Sequence, residues 1–194
     1  EIAKSHADVT MKHHFRPDYS SYHVISYDTI SGQPEKKNTC QGYAHESCWA
    51  RGQGWALYGY TMMYRETGQE KYLQHATNVA RFIMNHPRLP EDKIPYWDFD
   101  APGIPNELRD ASAGALMASA FIELSQYTEG DFSKQCLSVA EIQLKTLSSP
   151  EYLAEPGTNC NFILKHSVGN NPGKAEVTLI IIMLKLWYVI KEIF

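Results

Sequence analysis

The residues best equipped for chemistry crowd one short stretch, Gln41-Gly42-Tyr43 followed by Trp49-Ala50-Arg51-Gly52-Gln53-Gly54-Trp55. Arg51 carries a planar fork of donors matched to a carboxylate or sulfate. Trp49 and Trp55 each pair a flat apolar face with a polar edge, a shape suited to sugar rings. Gly52 and Gly54 leave room for a ligand or a neighbouring backbone. The same residues also read as a helix start packed by two tryptophans, with Arg51 capping a carbonyl, and residue types alone leave both readings open.

His23 stands in the alternating run Tyr22-His23-Val24-Ile25-Ser26-Tyr27, where a strand would turn every second side chain toward a cleft. A purely structural role is the other reading. Asp28, Asp98, Asp100 and Asp110 are the nearest carboxylates. Asp110 reads as a helix N-cap, and Asp98 and Asp100 as residues that hold their loop rather than work as acid and base. No Ser-His-Asp order, Gly-rich phosphate loop or His-Glu-x-x-His motif is present. His13-His14 and the Asp-bearing loops do not compose a ligand set, so neither a metal nor a cofactor is expected. Cys40, Cys48, Cys136 and Cys160 have no CxxC spacing and are too sparse for a disulfide scaffold.

These residues need a frame, and the helical pattern supplies one. Residues 1 to 14 put Ile2, Ala3, Ala7, Thr10 and Met11 on one helical stripe, with no capping residue before Ile2. From Phe15 to Ser47 the prolines and glycines allow a long loop with at most a hairpin. Helices are expected from about Cys48 to Thr67, stopped by Gly68, and from about Glu70 to Asn85, stopped before Pro87. The loop His86 to Arg109 leads to Asp110 and a helix to about Thr128. Gly130 ends that helix, and Asp131 opens another that reaches about Ser148. A final apolar helix is expected over about residues 174–193. It is interrupted by Lys185, Lys191 and Glu192 and is too short and charged for a membrane span.

The hairpin repeats. Tyr64-Arg65-Glu66-Thr67-Gly68 and Ser125-Gln126-Tyr127-Thr128-Glu129-Gly130 occupy the same place in successive units. Residues 3–13 align with 76–86, Ala7 falling on Ala80 and Met11 on Met84, so Glu1 lies within the outer helix of an earlier unit. The first helix of each unit is apolar nearly all round, which makes it interior. An inner ring of such helices wrapped by an outer ring is an all-α toroid, with its long loops gathered at one mouth. About half of such a ring is present. An open solenoid is the alternative, disfavoured because solenoid loops are usually short.

Charge narrows the partners. Eighteen basic against 22 acidic residues, net -4, give no broad cationic field for nucleic acid or an anionic membrane. Twelve tyrosines and four tryptophans suit either a generous core or a sugar-binding cleft. The N-terminus, polar and helical in period, does not read as a secretory signal.

Trp49 to Trp55, with QGY eight residues upstream and His23 before that, resembles the unsaturated glucuronyl hydrolases, glycoside hydrolase family 88. PYWDFDAP (95–102), RDASAGA (109–115) and ILKHSVGN (163–170) extend the resemblance. It implies an (α/α)6 barrel, with residues 1–194 the C-terminal portion of that single domain. It implies release of a Δ4,5-unsaturated uronic acid from oligosaccharides left by polysaccharide lyases, through hydration of the vinyl ether. By motif, His23, Gln41, Trp49, Arg51 and Trp55 would line the uronate subsite. His23 and Gln41 would contact its hydroxyl and carboxylate groups, the tryptophans would stack, and Arg51 would hold the anion. Lys174, in the loop from His166, would meet the next sugar.

Unsaturated rhamnogalacturonyl hydrolases, which differ where Gln53 stands, are the alternative within the class. The family's acid aspartates, including the proton donor, fall upstream of Glu1, so no catalytic residue is assigned here and the chain alone is expected to be inactive. Thr178 to Leu186 also departs from the acidic and aromatic residues of relatives. A non-catalytic carbohydrate-binding remnant therefore stays open. Inner helices built for burial imply association with the other half of the ring or with a second copy. Enzymes that follow secreted lyases favour an extracytoplasmic, periplasmic location over the cytoplasm.

Overall fold

The computed structural model describes residues 1–171 and 175–176. The closing helix expected over about 174–193 lies outside the described residues. In chain order the elements are α1 (Ile2–His13), β1 (Val24–Tyr27), β2 (Pro34–Asn38), α2 (Ala50–Thr67), α3 (Glu70–Asn85), α4 (Ala111–Ser125), α5 (Gly130–Leu147), a 3-10 turn (Asn159–Asn161), β3 (Val168–Asn170) and β4 (Ala175–Glu176).

The helix ends follow from local chemistry. α2 stops where Gly68 turns left-handed at φ 63°, its N–H donating to the Tyr64 carbonyl at 2.8 Å. α3 stops at His86, held extended before Pro87. Asp110 caps α4 by accepting from the Ser112 and Ala113 N–H groups. α4 ends at Ser125, short of the expected Thr128, because the Gln126 and Tyr127 N–H groups close on the Glu123 and Leu124 carbonyls in tighter turns. Gly130, expected as the stop of α4, is instead the first residue of α5.

α3 and α5 bury one stripe each. On α3 the buried residues are Tyr72, His75, Ala76, Val79, Ala80 and Ile83, one face of an amphipathic helix. α4 is buried along its whole length from Ala111 to Ser125, as its all-round apolar sequence requires. α2 packs along both α3 and α4, so α2 and α4 are inner helices and α3 and α5 outer ones. The main core runs from Ala7 through Leu57, Tyr72, Ile83, Phe121 and Leu124 to Leu147, and a small second cluster joins Trp97, Ala101 and Val168. Each large aliphatic or aromatic side chain fully buried there contributes roughly 1.5–3 kcal/mol.

The long loops are built, not loose. β1 and β2 form an antiparallel hairpin, Val24 opposite Asn38 and Ile25 opposite Lys37. The 86–110 loop turns Ile94, Tyr96, Trp97 and Phe99 inward and bridges Trp49 to Asp98 and Tyr96 to Arg109. Cys48 and Cys136 are buried and Cys40 and Cys160 exposed, none of them in a disulfide. Burial pushes the Cys48 thiol well above its ordinary pKa and that of Cys136 up to about 12. Among the described residues no helix is long and apolar enough to cross a membrane.

Candidate functional site

The start of α2 is held by the loop opposite it. Asp98, fully buried, accepts from the Tyr43 N–H at 2.8 Å and the Ser47 hydroxyl at 2.7 Å, and its other oxygen accepts from the Asp100 N–H at 2.8 Å. Asp100 accepts from the Cys48 N–H at 2.9 Å, and the Ala50 N–H, otherwise orphaned at the helix start, donates to the Trp97 carbonyl at 3.2 Å. Burial pushes the Asp98 carboxyl up, against those hydrogen bonds. Both oxygens of Asp98 are spent on protein donors, which is loop-holding work. Asp28 accepts from the Ile30 and Ser31 N–H groups in the turn between β1 and β2.

Arg51 is 4% exposed. Its Nη1 donates to the Ser112 hydroxyl at 3.0 Å and lies 3.7 Å from Asp110 Oδ2, while Nη2 donates to the Gly169 carbonyl at 2.9 Å. Donation to a carbonyl, one of the two readings of Arg51, is therefore realised. Any anion held by Arg51 meets a guanidinium with both terminal nitrogens already engaged. Asp110 is itself fully buried, and burial raises its carboxyl against the pull of the Arg51 charge.

Gln41 donates its amide to the same Gly169 carbonyl at 2.6 Å. One carbonyl of β3 thus joins Gln41 and Arg51, both distant from it in sequence. His166, with φ 62°, gives its own carbonyl to the Ala111 N–H at 3.0 Å, completing the α4 start. Lys174 lies outside the described residues.

The two tryptophans differ. Trp49 is buried at 8% exposure, stacked on His23 with ring centres 4.3 Å apart and 28° between planes, and Arg51 lies 4.9 Å from its ring centre. Its face is taken, whereas Trp55 is 48% exposed and open to a ligand. The room beside Gly52 and Gly54 is used by packing: a Cβ on Gly52 would stand 2.9 Å from the Trp49 ring, and one on Gly54 would stand 3.2 Å from Leu116.

His23 is partly buried, and burial first, then the Arg51 charge, hold its pKa below the ordinary imidazole value. His23, Trp49 and Trp55 share a cavity of about 510 Å³ that continues between α1 and α2 past Ala56, Gly59 and Met63. Gln41 and Arg51 stand outside that lining. Among the described residues no Asp or Glu lines it, and no group of three or more His, Cys, Asp or Glu is placed to hold a metal ion.

Sequence reasoning missed three supports. Gln53, fully buried, accepts from the Ser21 N–H at 2.9 Å and donates to the Tyr19 carbonyl at 2.7 Å, so it ties the loop before β1 onto α2. An amide inside an apolar inner helix is the signal that could have found it. Thr39 and Ser112 act through contacts with no local pattern.

Paired inner and outer helices, with built loops gathered over the starts of the inner ones, place the chain in the α/α-toroid class. No protein-family model matches it. It is 51% identical over 176 residues to an unsaturated glucuronyl hydrolase of Formosa agariphila, covering 91% of this chain and 43% of that relative. A crystal structure of an unsaturated glucuronyl hydrolase specific for heparin superposes with a TM-score of 0.89 at 52% identity, over 96% of this chain and 50% of that one. The Streptococcus agalactiae enzyme, as a point mutant complexed with dGlcA-GalNAc6S, gives 0.78 at 28% identity, over 97% of this chain and 50% of its own. The chain belongs to the unsaturated glucuronyl hydrolases, glycoside hydrolases of the α/α-toroid fold, and spans about half the length of these relatives.

Proposed function

We propose that the protein to which this chain contributes releases a Δ4,5-unsaturated uronic acid from the non-reducing end of glycosaminoglycan oligosaccharides. A carboxylic acid protonates C4 of the vinyl ether, water adds to C5, and the resulting hemiketal opens and expels the remaining sugar. In this reading the chain is the C-terminal half of one barrel domain. Trp55 stacks on the sugar, His23 and Gln41 contact its oxygens, Trp49 backs His23, and Arg51 attracts the uronate carboxylate while bracing Gly169. Lys174 is kept for the next sugar.

The observation that carries this reading is the cavity itself: an open indole beside a neutral imidazole, with no carboxylate in its lining among the described residues. Among the described residues the cavity offers binding groups and no acid, and in this reading the proton donor comes from another part of the full protein. The repeat supports the same division. α3 lies along α2, whereas α1, which aligns with α3, has no inner helix of its own hairpin among the described residues. The apolar lower half of the cavity, between Ala3 and Ala7 of α1 and Ala56, Gly59 and Met63 of α2, is where such a helix packs.

The test follows the ultraviolet absorbance of the conjugated double bond in unsaturated heparin and chondroitin disaccharides. This chain alone is compared with the chain completed by the half of its relatives that it does not span. Loss of absorbance only with the longer protein is the expected result. Loss with the chain alone would overturn the division of labour, and binding without loss in either would leave a carbohydrate-binding protein.

A further inference from the structure

His23 can serve the cleft in only one way. Three groups converge on its Nδ1: the Cys40 N–H at 3.2 Å, the Gln41 N–H at 3.3 Å and the Thr39 hydroxyl at 3.2 Å. A backbone N–H can only donate, so Nδ1 must carry the lone pair. The Thr39 oxygen accepts from the Gly42 N–H at 2.8 Å, and its proton is free to turn to the Nδ1 lone pair. A neutral imidazole with its lone pair on Nδ1 bears its proton on Nε2. Nε2 has no hydrogen-bond partner among the described residues, and the ring lines the cavity beside Trp55. Stacking on Trp49 fixes the plane of the ring.

We propose that the turn 39–42, with Thr39 as its positioning residue, locks His23 as the neutral Nε2–H tautomer, so that the histidine offers the cleft a hydrogen-bond donor and no base. Protonating Nδ1 would turn a third donor against two backbone N–H groups, which opposes the imidazolium on geometry alone. The lowered pKa of His23 points the same way. The group it recognises is then an acceptor oxygen, a sugar hydroxyl or carboxylate, and not an ammonium. That last step rests on the hydrolase reading, and within it His23 cannot take the proton of the attacking water.

The tautomer can be read without any substrate. In protein labelled with 15N-histidine, long-range proton–nitrogen spectra at neutral pH should show His23 Nδ1 in the range of an unprotonated ring nitrogen and Nε2 in that of a protonated one, the signals being assigned by their loss in His23→Gln. Thr39→Val, which strands the Gly42 N–H and so loosens the turn that aims the Cys40 and Gln41 N–H groups, should move both nitrogens toward the averaged position of a histidine that exchanges tautomers, and Thr39→Ser should restore them. A protonated Nδ1 in the unaltered protein would overturn the proposal. So would a Thr39→Val spectrum identical to the parent, since the hydroxyl would then position nothing. A correct tautomer in a full-length protein that leaves unsaturated disaccharides intact would overturn the hydrolase reading instead, so the two failures are separable.

Discussion

α4 and α2 are both first helices of a repeat, both rich in small and apolar residues, yet the fold treats them differently. α4 is buried at every residue. α2 is buried through Gly54, Leu57 and Thr61, while Trp55 on its other side is nearly half exposed. An apolar inner helix is thus a demand for cover on all sides, and α4 meets it within the described residues where α2 does not. The uncovered side of α2 is also the side that carries the candidate cleft. Openness and the candidate cleft coincide, and burial is concentrated along α4.

The largest expected effect tests that concentration. Asp110→Ala removes the α4 cap and leaves Arg51 buried without its carboxylate, and should cost about 3–5 kcal/mol in urea unfolding. Asp110→Asn, which keeps an acceptor, should lose less. If both were as mild as a surface change, α4 would not be the anchor.

Next comes acid. His75 on α3 is 6% exposed, packed against Phe15 and Tyr60, and burial lowers its pKa from 6.5 to about 4. The unfolded chain therefore binds a proton below pH 6.5 that the folded chain refuses until about pH 4. Its contribution to stability is complete above that upper value and falls as pH drops through the interval, by up to about 3 kcal/mol. Comparing melting temperatures of the parent and His75→Phe across this range should show the steeper acid loss in the parent. Hydrogen exchange should place the early opening around α1 and α3 rather than α4 and α5.

Gln53→Leu strands the Ser21 N–H and the Tyr19 carbonyl, and should cost about 2 kcal/mol. It should also loosen the segment leading into His23, visible as broadened His23 signals. The smallest effect has the opposite sign. Gly59 sits mid-helix with open space where a Cβ would go, so Gly59→Ala should stabilise this chain by about 0.5–1 kcal/mol. If another helix covers that face in a longer protein, as proposed, the gain should vanish there. A gain of equal size in both would mean that face stays open.

The fold was readable where chemistry is local. Gly68, Pro87 and Asp110 mark helix ends by conformational needs that no neighbour alters, and the repeat exposed the inner and outer alternation. β2 was not separately readable, because Pro34-Glu35-Lys36-Lys37-Asn38 has no apolar alternation and is set by its pairing with β1. At the candidate site, motif and residue type brought out His23, Trp49, Arg51 and Trp55. They could not say that Trp49 spends its face on His23 or that Gln41 and Arg51 share the Gly169 carbonyl. Those facts depend on loops that meet only after folding. His75 was missed because a lone histidine between Gln74 and Ala76 looks like surface until the stripe of Tyr72, Ala76 and Val79 is seen to include it.

The unequal exposure of the four thiols turns the candidate site into something that can be watched. A maleimide dye applied to the folded protein reaches Cys40 and Cys160, while the two buried cysteines stay silent. With Cys160→Ser, a single fluorophore sits on the residue whose own N–H holds His23. A sugar arriving beside Trp55 would then announce itself as a change in emission, with no turnover required.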